Sequence, residues 1–257
     1  MISGNRRAGV YWDNATGTLD RTVVRDSLAM ESDGRYGNGA QIITGADVTI
    51  TDSLFVGNMT SGLAWSAARG TMERTIVRDS RPSTAGTHGV GVYVWSGTTL
   101  VGSDVTIRGC RIDANVEGAV GVGGSRAIIE DSALLASKPS SKALFGDGLM
   151  IAATLEGGET VLSSNVSMAR TLVANNARAG VLVIGSAFSA HDSALLCNKL
   201  DLQVMEATGA TASGTPIRKP FSLESSGIVG CGCGGTAVSC KGQASSIGPI
   251  PAPDFDG

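Results

Sequence analysis

A six-residue segment with a small first residue, an apolar third residue and a final Asn or Ser occurs seven times in this chain. The copies are TVVRDS at 22–27, SLFVGN at 53–58, TIVRDS at 75–80, CRIDAN at 110–115, SALLAS at 132–137, TLVANN at 171–176 and SALLCN at 193–198. Intervals of 22 residues between copies alternate with intervals of 31, 35 and 39 residues. Recurrence at such a period predicts a solenoid in which each copy belongs to one coil.

Residues ahead of each copy alternate in a period of two. The positions five and seven residues before the apolar third residue are apolar or small in every coil, as at Val105 and Ile107. That period places them on one face of a β-strand. A further short strand follows a glycine in each coil, as after Gly118 and Gly180. The pattern predicts an all-β solenoid of about seven coils, with like side chains stacked at about 4.8 Å from coil to coil.

The last residue of each segment predicts a tight turn. This column contains Ser27, Asn58, Ser80, Asn115, Ser137, Asn176 and Asn198. Since Asn tolerates the left-handed backbone conformation, we expect these residues to adopt it, and we expect each Asn side chain to bond along the ladder to the Asn of the next coil.

These columns resemble those of the right-handed parallel β-helix superfamily, which contains pectate lyases, polygalacturonases, alginate-modifying enzymes and phage tailspikes. The resemblance covers residues 1–205, and it implies the fold but no chemistry because the repeated positions are the buried ones. Residues 206–257, rich in Gly, Ser, Thr and Pro, are predicted to form an irregular C-terminal cap and tail. No polar cap precedes Gly9, so we expect further coils on the N-terminal side.

The composition and charge of the chain argue against a helical fold, a nucleic-acid partner and a transmembrane segment. With 36 glycines, 4% aromatic residues and 17% charged residues, the chain favours many tight turns over helices. The net charge of −3 and the scattered basic residues argue against nucleic acid as a partner. No run of about 18 apolar residues is present to form a transmembrane segment.

The five cysteines predict a disulfide bond and, from it, the compartment in which the protein is found. Cys231, Cys233 and Cys240 cluster in a glycine-rich segment, which predicts a disulfide between Cys231 or Cys233 and Cys240. A zinc site needs four ligands and finds three here, so no metal site is predicted. The disulfide favours an oxidising compartment, hence an extracellular or cell-surface location. We expect Cys110 and Cys197 to be inert buried thiols.

The longer coils place their extra residues at two corners, 28–38, 81–88 and 138–147 at one and 95–104 and 153–164 at the other. Because these insertions recur in every second coil, they predict ridges beside a sheet, the usual binding surface of a solenoid. Asp147 is expected to be exposed there. The candidate binding residues are Arg35, Tyr36, His88, Tyr93, Trp95 and Lys142.

Catalysis in the superfamily depends on outward clusters of charge. One outward column places Glu73, Arg108 and Glu130 in consecutive coils, an arrangement similar to a lyase site in which carboxylates hold Ca²⁺ and an Arg abstracts a proton. Alternating charges one coil apart are equally typical of a surface ion-pair ladder. The segment around His88 resembles the Gly-His-Gly of polygalacturonases, but the acidic motifs expected with it are absent.

Two functions are therefore predicted from the sequence. The first is a noncatalytic extracellular or cell-surface β-helix, without a cofactor, that binds a polysaccharide or a surface protein through its loop ridges. The alternative is a carbohydrate-active enzyme, a polysaccharide lyase, epimerase or hydrolase, with Ca²⁺ as the cofactor of a lyase and with Glu73, Arg108 and Glu130 as its catalytic residues.

Overall fold

The computed structural model describes residues 1–231 apart from 33, 35, 85, 87, 98–100, 142–144, 157–159, 211–215 and 221. Each coil of the described chain passes through three parallel sheets in turn. We call them sheet I, with six-residue strands, sheet II, with mostly five-residue strands, and sheet III, with mostly three-residue strands. The predicted right-handed parallel β-helix is confirmed.

The strands stack in chain order within each sheet. Sheet I contains β2 (Ala8–Asp13), β5 (Asn38–Ile43), β8 (Ser61–Ser66), β11 (Val90–Trp95), β14 (Gly118–Gly123), β17 (Asp147–Ala152), β22 (Ala179–Ile184) and β25 (Leu200–Met205). Sheet II contains β3 (Thr16–Asp20), β6 (Asp47–Thr51), β9 (Arg69–Glu73), β12 (Asp104–Arg108), β15 (Arg126–Glu130), β20 (Asn165–Ala169), β23 (Ala187–His191) and β28 (Ser222–Ser226). Sheet III contains β1 (Ile2–Ser3), β4 (Val23–Arg25), β7 (Leu54–Val56), β10 (Ile76–Arg78), β13 (Arg111–Asp113), β16 (Ala133–Leu135), β21 (Leu172–Ala174), β24 (Ala194–Leu196) and β29 (Val229–Cys231). Two antiparallel hairpins, β18 (Thr154–Glu156) with β19 (Thr160–Leu162) and β26 (Ala207–Ala210) with β27 (Pro216–Lys219), project from the coils.

The seven repeated segments form seven consecutive strands of sheet III, from β4 to β24, while β1 and β29 extend that sheet at its two ends. Their apolar residues stack in register, so that Val77 pairs with Phe55 on one side and Ile112 on the other. All three side chains are fully buried. The core is thus a set of parallel apolar columns enclosed by the three sheets, and burial of such surface is the main stabilising term of the fold.

The Asn and Ser column lies in the core corner between sheets III and I, and its hydrogen bonds differ from the prediction. Asn115 accepts a bond from the Ser80 amide at 3.0 Å and donates one to the Val77 carbonyl at 3.2 Å, both in the coil before it. A direct bond between two side chains of this column occurs at Asn176 and Asn198, at 2.9 Å. Most of the ladder therefore joins a side chain to the backbone of the preceding coil.

The left-handed conformation also falls one residue earlier than predicted. Positive φ angles belong to the residues just before the Asn and Ser column, namely Asp26, Gly57, Asp79, Ala114, Ala136, Asn175 and Cys197. The prediction was wrong here because the column residue must turn its side chain inward to bond to the neighbouring coil. The residue before it makes the turn.

The glycine at the second position of most sheet I strands has a steric cause. A Cβ atom at Gly39 would lie 2.7 Å from Asn58 Nδ2 and 2.8 Å from Phe55 Cδ1, closer than real side chains approach. The same contact recurs at Gly91 with Asn115 and at Gly148 with Asn176. Where the column carries Asn, its side chain is thus one of the groups that leave room only for glycine.

The two predicted buried thiols differ in the structure. Cys110 is a free, fully buried cysteine, and desolvation raises the pKa of its thiol to about 12. Cys197 is instead disulfide-bonded, so its assignment as an inert thiol was wrong. The predicted pairing of Cys231 or Cys233 with Cys240 lies outside the side chains that the structure describes. Strands β28 and β29, in the segment predicted as a cap, extend sheets II and III.

Candidate functional site

The outward face of sheet I carries a pair of adjacent aromatic side chains on β11. Val92 and Val94 of β11 point into the core, so the alternating residues Tyr93 and Trp95 point outward and are half-buried. Their ring centroids lie 5.5 Å apart with the planes tilted by 43°. Tilted pairs at this distance are mutually stabilising, so the two rings form one rigid surface.

The neighbouring strand β14 leaves space for these two rings. Tyr93 and Trp95 pair in register with Gly121 and Gly123 of β14. A Cβ atom at Gly123 would overlap Trp95 Cε3, and one at Gly121 would lie 3.5 Å from Tyr93 Cε2. We call Tyr93, Trp95, Gly121 and Gly123 the aromatic platform. It exists because one strand supplies two rings and its neighbour supplies no side chains.

Loops rise on the N-terminal side of sheet I in every second coil. Residues 28–37, 81–89 and 138–146, which we call the N-side ridge, precede β5, β11 and β17. Thr84 Oγ1 donates to the Gly34 carbonyl at 3.2 Å, and Ser141 Oγ donates to the Gly86 carbonyl at 3.3 Å. Each bond joins loops two coils apart, so the three loops support one another across the shorter coils between them.

Tyr36, His88 and Phe145 occupy equivalent positions in this ridge. Each has a φ angle between 62° and 69° and is followed by a glycine with a φ angle of 100° or 101°. Tyr36 and His88 were predicted as binding residues, whereas Phe145 was missed, although its Phe-Gly dipeptide repeats the Tyr-Gly and His-Gly dipeptides at the same place in the repeat. The predicted binding residues Arg35 and Lys142 lie outside the described residues.

Two arginines stack on these aromatic rings. Arg7 lies 5.6 Å from the centroid of Tyr36 and 5.2 Å from that of Tyr11, which are 37% and 42% exposed. Arg178 lies 5.0 Å from the centroid of Phe145. Such cation–π contacts orient the rings and leave part of their surface open to a ligand.

Asp147 is fully buried, so the expectation that it would be exposed was wrong. Its Oδ1 accepts hydrogen bonds from Arg178 Nε at 2.8 Å and from the Ala179 amide at 3.0 Å, and its Oδ2 accepts a second bond from Arg178. The bond to Asp147 raises the pKa of Arg178. Asp147 is the first residue of β17 and not the last residue of the loop. Arg178, from the next coil, compensates the negative charge of Asp147, whose burial would otherwise be unfavourable.

Glu117 is a second buried acid, and sequence reasoning missed it. It immediately precedes β14, it is 9% exposed, and its Oε1 has no hydrogen-bond partner among the described residues. Burial raises the pKa of Tyr93, and the charge of Glu117 raises it further. An isolated Glu outside any repeated column offers no sequence signal for such a position.

The structure places Glu73, Arg108 and Glu130 side by side on sheet II, in register across β9, β12 and β15. Arg108 donates two hydrogen bonds to Glu130 Oε2, at 3.1 and 2.8 Å, while Glu73 accepts one from Arg74 at 3.0 Å. About half of the Arg108 side chain is exposed, so this is a solvated ion-pair network. Among the described residues, no three His, Cys, Asp or Glu side chains converge as metal ligands.

Two open depressions lie outside the sheet I face. One is lined by Arg6, residues 28–32, Gly34, Met59 and Thr84, and the other by residues around Asp104 and Arg126. Arg6 is ion-paired with Glu31 in the first, and Arg126 with Asp104 in the second. In the described part of the chain, no helix is long and apolar enough to cross a bilayer.

Comparison with known proteins identifies the architecture. A family model described as a right handed beta helix region matches residues 1–199. No curated protein matches the chain. Among solved structures, pectate lyase Pel9A aligns with a TM-score of 0.44 and 16% identity over 65% of this chain and 48% of that one, so the chain spans about half the length of that lyase. Two structures of QnrB1, a plasmid-mediated fluoroquinolone resistance protein, align less well. The full-length form has a TM-score of 0.19 and 11% identity over 84% of this chain and 92% of its own. A trypsin-treated variant has a TM-score of 0.17 and 13% identity over 76% of this chain and 90% of its own.

Proposed function

The chain belongs to the right-handed β-helix family, and from that premise we propose that it is a noncatalytic extracellular or cell-surface protein that binds glycan on the face of sheet I. The aromatic platform carries this proposal. Tyr and Trp provide broad, rigid contact surfaces at a low cost in conformational entropy, and the C–H faces of sugar rings pack against such rings.

The platform is preorganised for a ligand. Tyr93 and Trp95 contact each other and lie over Gly121 and Gly123, so their rotamers are restricted before anything binds. Restricting side chains in advance removes part of the entropy loss of binding. Thr154, the first residue of β18, also comes within 3.0 Å of the Cβ position at Gly123.

The ridge suggests a ligand that runs along the solenoid. Tyr36, His88 and Phe145 lie two residues before β5, β11 and β17, so successive members are two coils, or about 10 Å, apart. A polymer laid across the strands would meet equivalent side chains at regular steps. A glycan chain has such a periodic shape, which is why we favour it over a globular partner.

The disulfide of Cys197 supports an extracellular location. Disulfides persist mainly in oxidising compartments, whereas cytosolic thiols remain reduced.

The alternative function, a carbohydrate-active enzyme, draws on the adjacency of Glu73, Arg108 and Glu130. Proton abstraction by Arg108 would require its release from Glu130, to which it donates two hydrogen bonds. These contacts favour the noncatalytic function.

A glycan array probed with the whole chain, with and without Ca²⁺, tests the proposal. We expect binding without Ca²⁺, and we expect Trp95→Ala to abolish it while Leu223→Ala, which removes apolar surface from sheet II, leaves it unchanged. Binding that survives Trp95→Ala would contradict the site.

A parallel assay for unsaturated products on pectate and alginate distinguishes the enzyme. We expect no product. Ca²⁺-dependent product that disappears in Arg108→Ala would overturn the noncatalytic function and assign catalysis to the sheet II cluster.

A further inference from the structure

Arg7 carries an uncompensated positive charge at the N-terminal end of the sheet I face. It immediately precedes β2, and its side chain is exposed. Most arginines whose side chains the structure describes pair with a carboxylate. Arg7 and Arg69 form no ion pair with the described residues, but Arg69 lies in register between Asp47 and Asp104, so acids flank it on both sides.

Two tyrosine rings hold the Arg7 guanidinium in place. Its Cζ atom lies 5.2 Å from the ring centroid of Tyr11 and 5.6 Å from that of Tyr36. The Arg7 amide donates to the Leu28 carbonyl at 3.0 Å, and the Arg7 carbonyl accepts from the Gly37 amide at 2.8 Å. We call Arg7, Tyr11 and Tyr36 the Arg7 cluster. A guanidinium stacked in this way has its N–H fork oriented before a ligand arrives, so binding restricts it less.

The Arg7 cluster is open to solvent. Tyr11 and Tyr36 are 42% and 37% exposed, the highest values among the aromatic side chains that the structure describes. Asp13, the acidic residue of β2, accepts a hydrogen bond from the Tyr11 hydroxyl at 3.4 Å and forms no ion pair with Arg7. A ligand can therefore reach both the rings and the cation.

The contrast with Arg178 separates an available arginine from a structural one. Arg178 also stacks on an aromatic ring of the N-side ridge, but its guanidinium is engaged by buried Asp147. Arg7 has the ring contacts without the carboxylate. Because paired guanidinium N–H groups match the oxygens of a carboxylate, sulfate or phosphate, the missing partner of Arg7 is an anion.

The Arg7 cluster and the aromatic platform lie on one face. Tyr11 pairs in register with Gln41, Gln41 with Ala64, and Ala64 with Tyr93, so the two tyrosines belong to one outward column of sheet I. Three strand spacings, or about 14 Å, separate them. The column between them carries half-buried Gln41 and the small Ala64, so an extended ligand can contact both ends.

We propose that the Arg7 cluster is an anion-binding subsite, and that the glycan bound on the aromatic platform carries an acidic substituent, a carboxylate or a sulfate, that binds there. The guanidinium N–H groups donate to the oxygens of the acid, while the tyrosine rings contact the apolar face of the sugar that bears it. This inference rests on the proposed function, because it adds a second contact to the same face.

Calorimetry on the whole chain compares three oligosaccharides of one backbone and equal length, long enough to span about 14 Å. They are a β-1,4-glucose oligomer, its 6-carboxylate form and its 6-sulfate form. We expect the wild type to bind at least one acidic form at least about tenfold more tightly than the neutral form, which corresponds to about 1.4 kcal/mol. The form that binds more tightly identifies the acid. Added salt should reduce the preference, because the contact is exposed and electrostatic.

Variants locate the preference. Arg7→Gln should reduce it at least about fivefold without lowering Tm, since the fork that binds the acid is gone. Arg69→Gln makes the same change of charge at the other arginine without an ion pair, on sheet II, and should leave the preference unchanged. An equal loss in both variants would overturn the inference, because the preference would then come from the overall charge.

A second substitution guards against misfolding. Arg7→Lys keeps the charge but lacks the planar fork, so it should retain only part of the preference for the acidic form. Full retention would contradict binding by the fork. If neither Arg7 variant folds, Arg7 has a structural role and the inference is overturned.

The two proposals fail in different ways. If none of the oligosaccharides binds, or if Trp95→Ala has no effect on binding, the proposed function is overturned. If Trp95→Ala abolishes binding but the wild type binds the neutral and acidic forms equally, or Arg7→Gln retains the wild-type preference, the inference about the Arg7 cluster is overturned and the proposed function stands.

Discussion

Asn and Ser in the turn column have unequal roles at the scale of the single residue. Asn115 bridges two backbone groups of the preceding coil, the Ser80 amide and the Val77 carbonyl. Ser80, one coil away in the same column, is equally buried, but its hydroxyl has no hydrogen-bond partner among the described residues. The column is therefore stabilised by its asparagines, and the serines fill space between them.

We expect Asn115→Ala to lower the free energy of unfolding by about 2 kcal/mol or more, because two buried backbone groups lose their partners. Ser80→Ala removes an unpaired hydroxyl from the same column and should leave stability within about 0.5 kcal/mol of the wild type or raise it. Urea denaturation followed by circular dichroism measures both. Equal losses in the two variants would contradict the unequal roles.

Gly123 has a different role, since it provides space for an aromatic ring. Gly123→Ala would displace Trp95, which sits over that position, and is expected to weaken glycan binding and change the tryptophan fluorescence. Gly118→Ala is the matched control in the same strand, because a Cβ there would lie at an ordinary 3.5 Å from the Asp147 carbonyl oxygen. Similar fluorescence changes in both variants would argue against the platform.

At the scale of the element, the corner between sheets II and III is a ladder of charge. Its left-handed residues are Arg21, Asp52, Arg74, Gly109, Asp131, Arg170 and Asp192. Arg74 pairs with Asp52 and Arg170 with Asp131, each through two hydrogen bonds across adjacent coils. Opposite charges stacked in this way stabilise the register of the coils, although the exposure of each pair to solvent keeps its contribution to stability small.

The Asp131 pair predicts a pH dependence. Its hydrogen bond from Arg170 lowers the pKa of Asp131 below 3.8, so the pair contributes stability above the unfolded pKa and loses it as the pH falls through the folded one. We expect Asp131→Asn to cost less than about 1 kcal/mol at pH 7, with the difference from wild type vanishing in acid below pH 3.8.

Thermal melts over that pH range measure the effect. Asp47→Asn, at an exposed carboxylate of β6, is the control. A difference for Asp131→Asn that persists unchanged in acid would contradict the ion-pair explanation.

At the scale of the whole molecule, the solenoid is a stack whose coils contact mainly their neighbours, so its ends need separate stabilisation. At the C-terminal end β28 and β29 complete sheets II and III beyond β25. The disulfide of Cys197 lies next to this end, just after β24, which pairs with β29. A covalent link there would limit unravelling of the final coil.

We therefore expect reduction to destabilise the protein by about 2–4 kcal/mol. Cys197→Ser should show a smaller difference in Tm with and without dithiothreitol than the wild type, whereas Cys110→Ala should keep the wild-type difference. A thiol reagent should modify Cys110 only after unfolding, because the buried thiol has its pKa raised to about 12. A wild type that melts identically in both states would contradict the stabilising role of the disulfide.

The repeat by itself determined the fold and most of the core. An apolar residue such as Val77 or Ile112 recurs at a constant place in each coil, and every coil must bury it against the next, so periodicity alone is sufficient to predict the stack. It also determined that Tyr93 and Trp95 face outward, because β-strand alternation is a local property.

Only the tertiary structure decided which residues from different coils meet. The position of Trp95 over Gly123, the burial of Asp147 against Arg178 and the unpaired carboxylate of Glu117 each depend on contacts between residues 28 or more positions apart, or on their absence. The left-handed residue before each Asn was likewise decided by a bond to the preceding coil. The physical reason is that periodicity reports what every coil shares, whereas a binding site is built from the positions at which one coil differs from its neighbours.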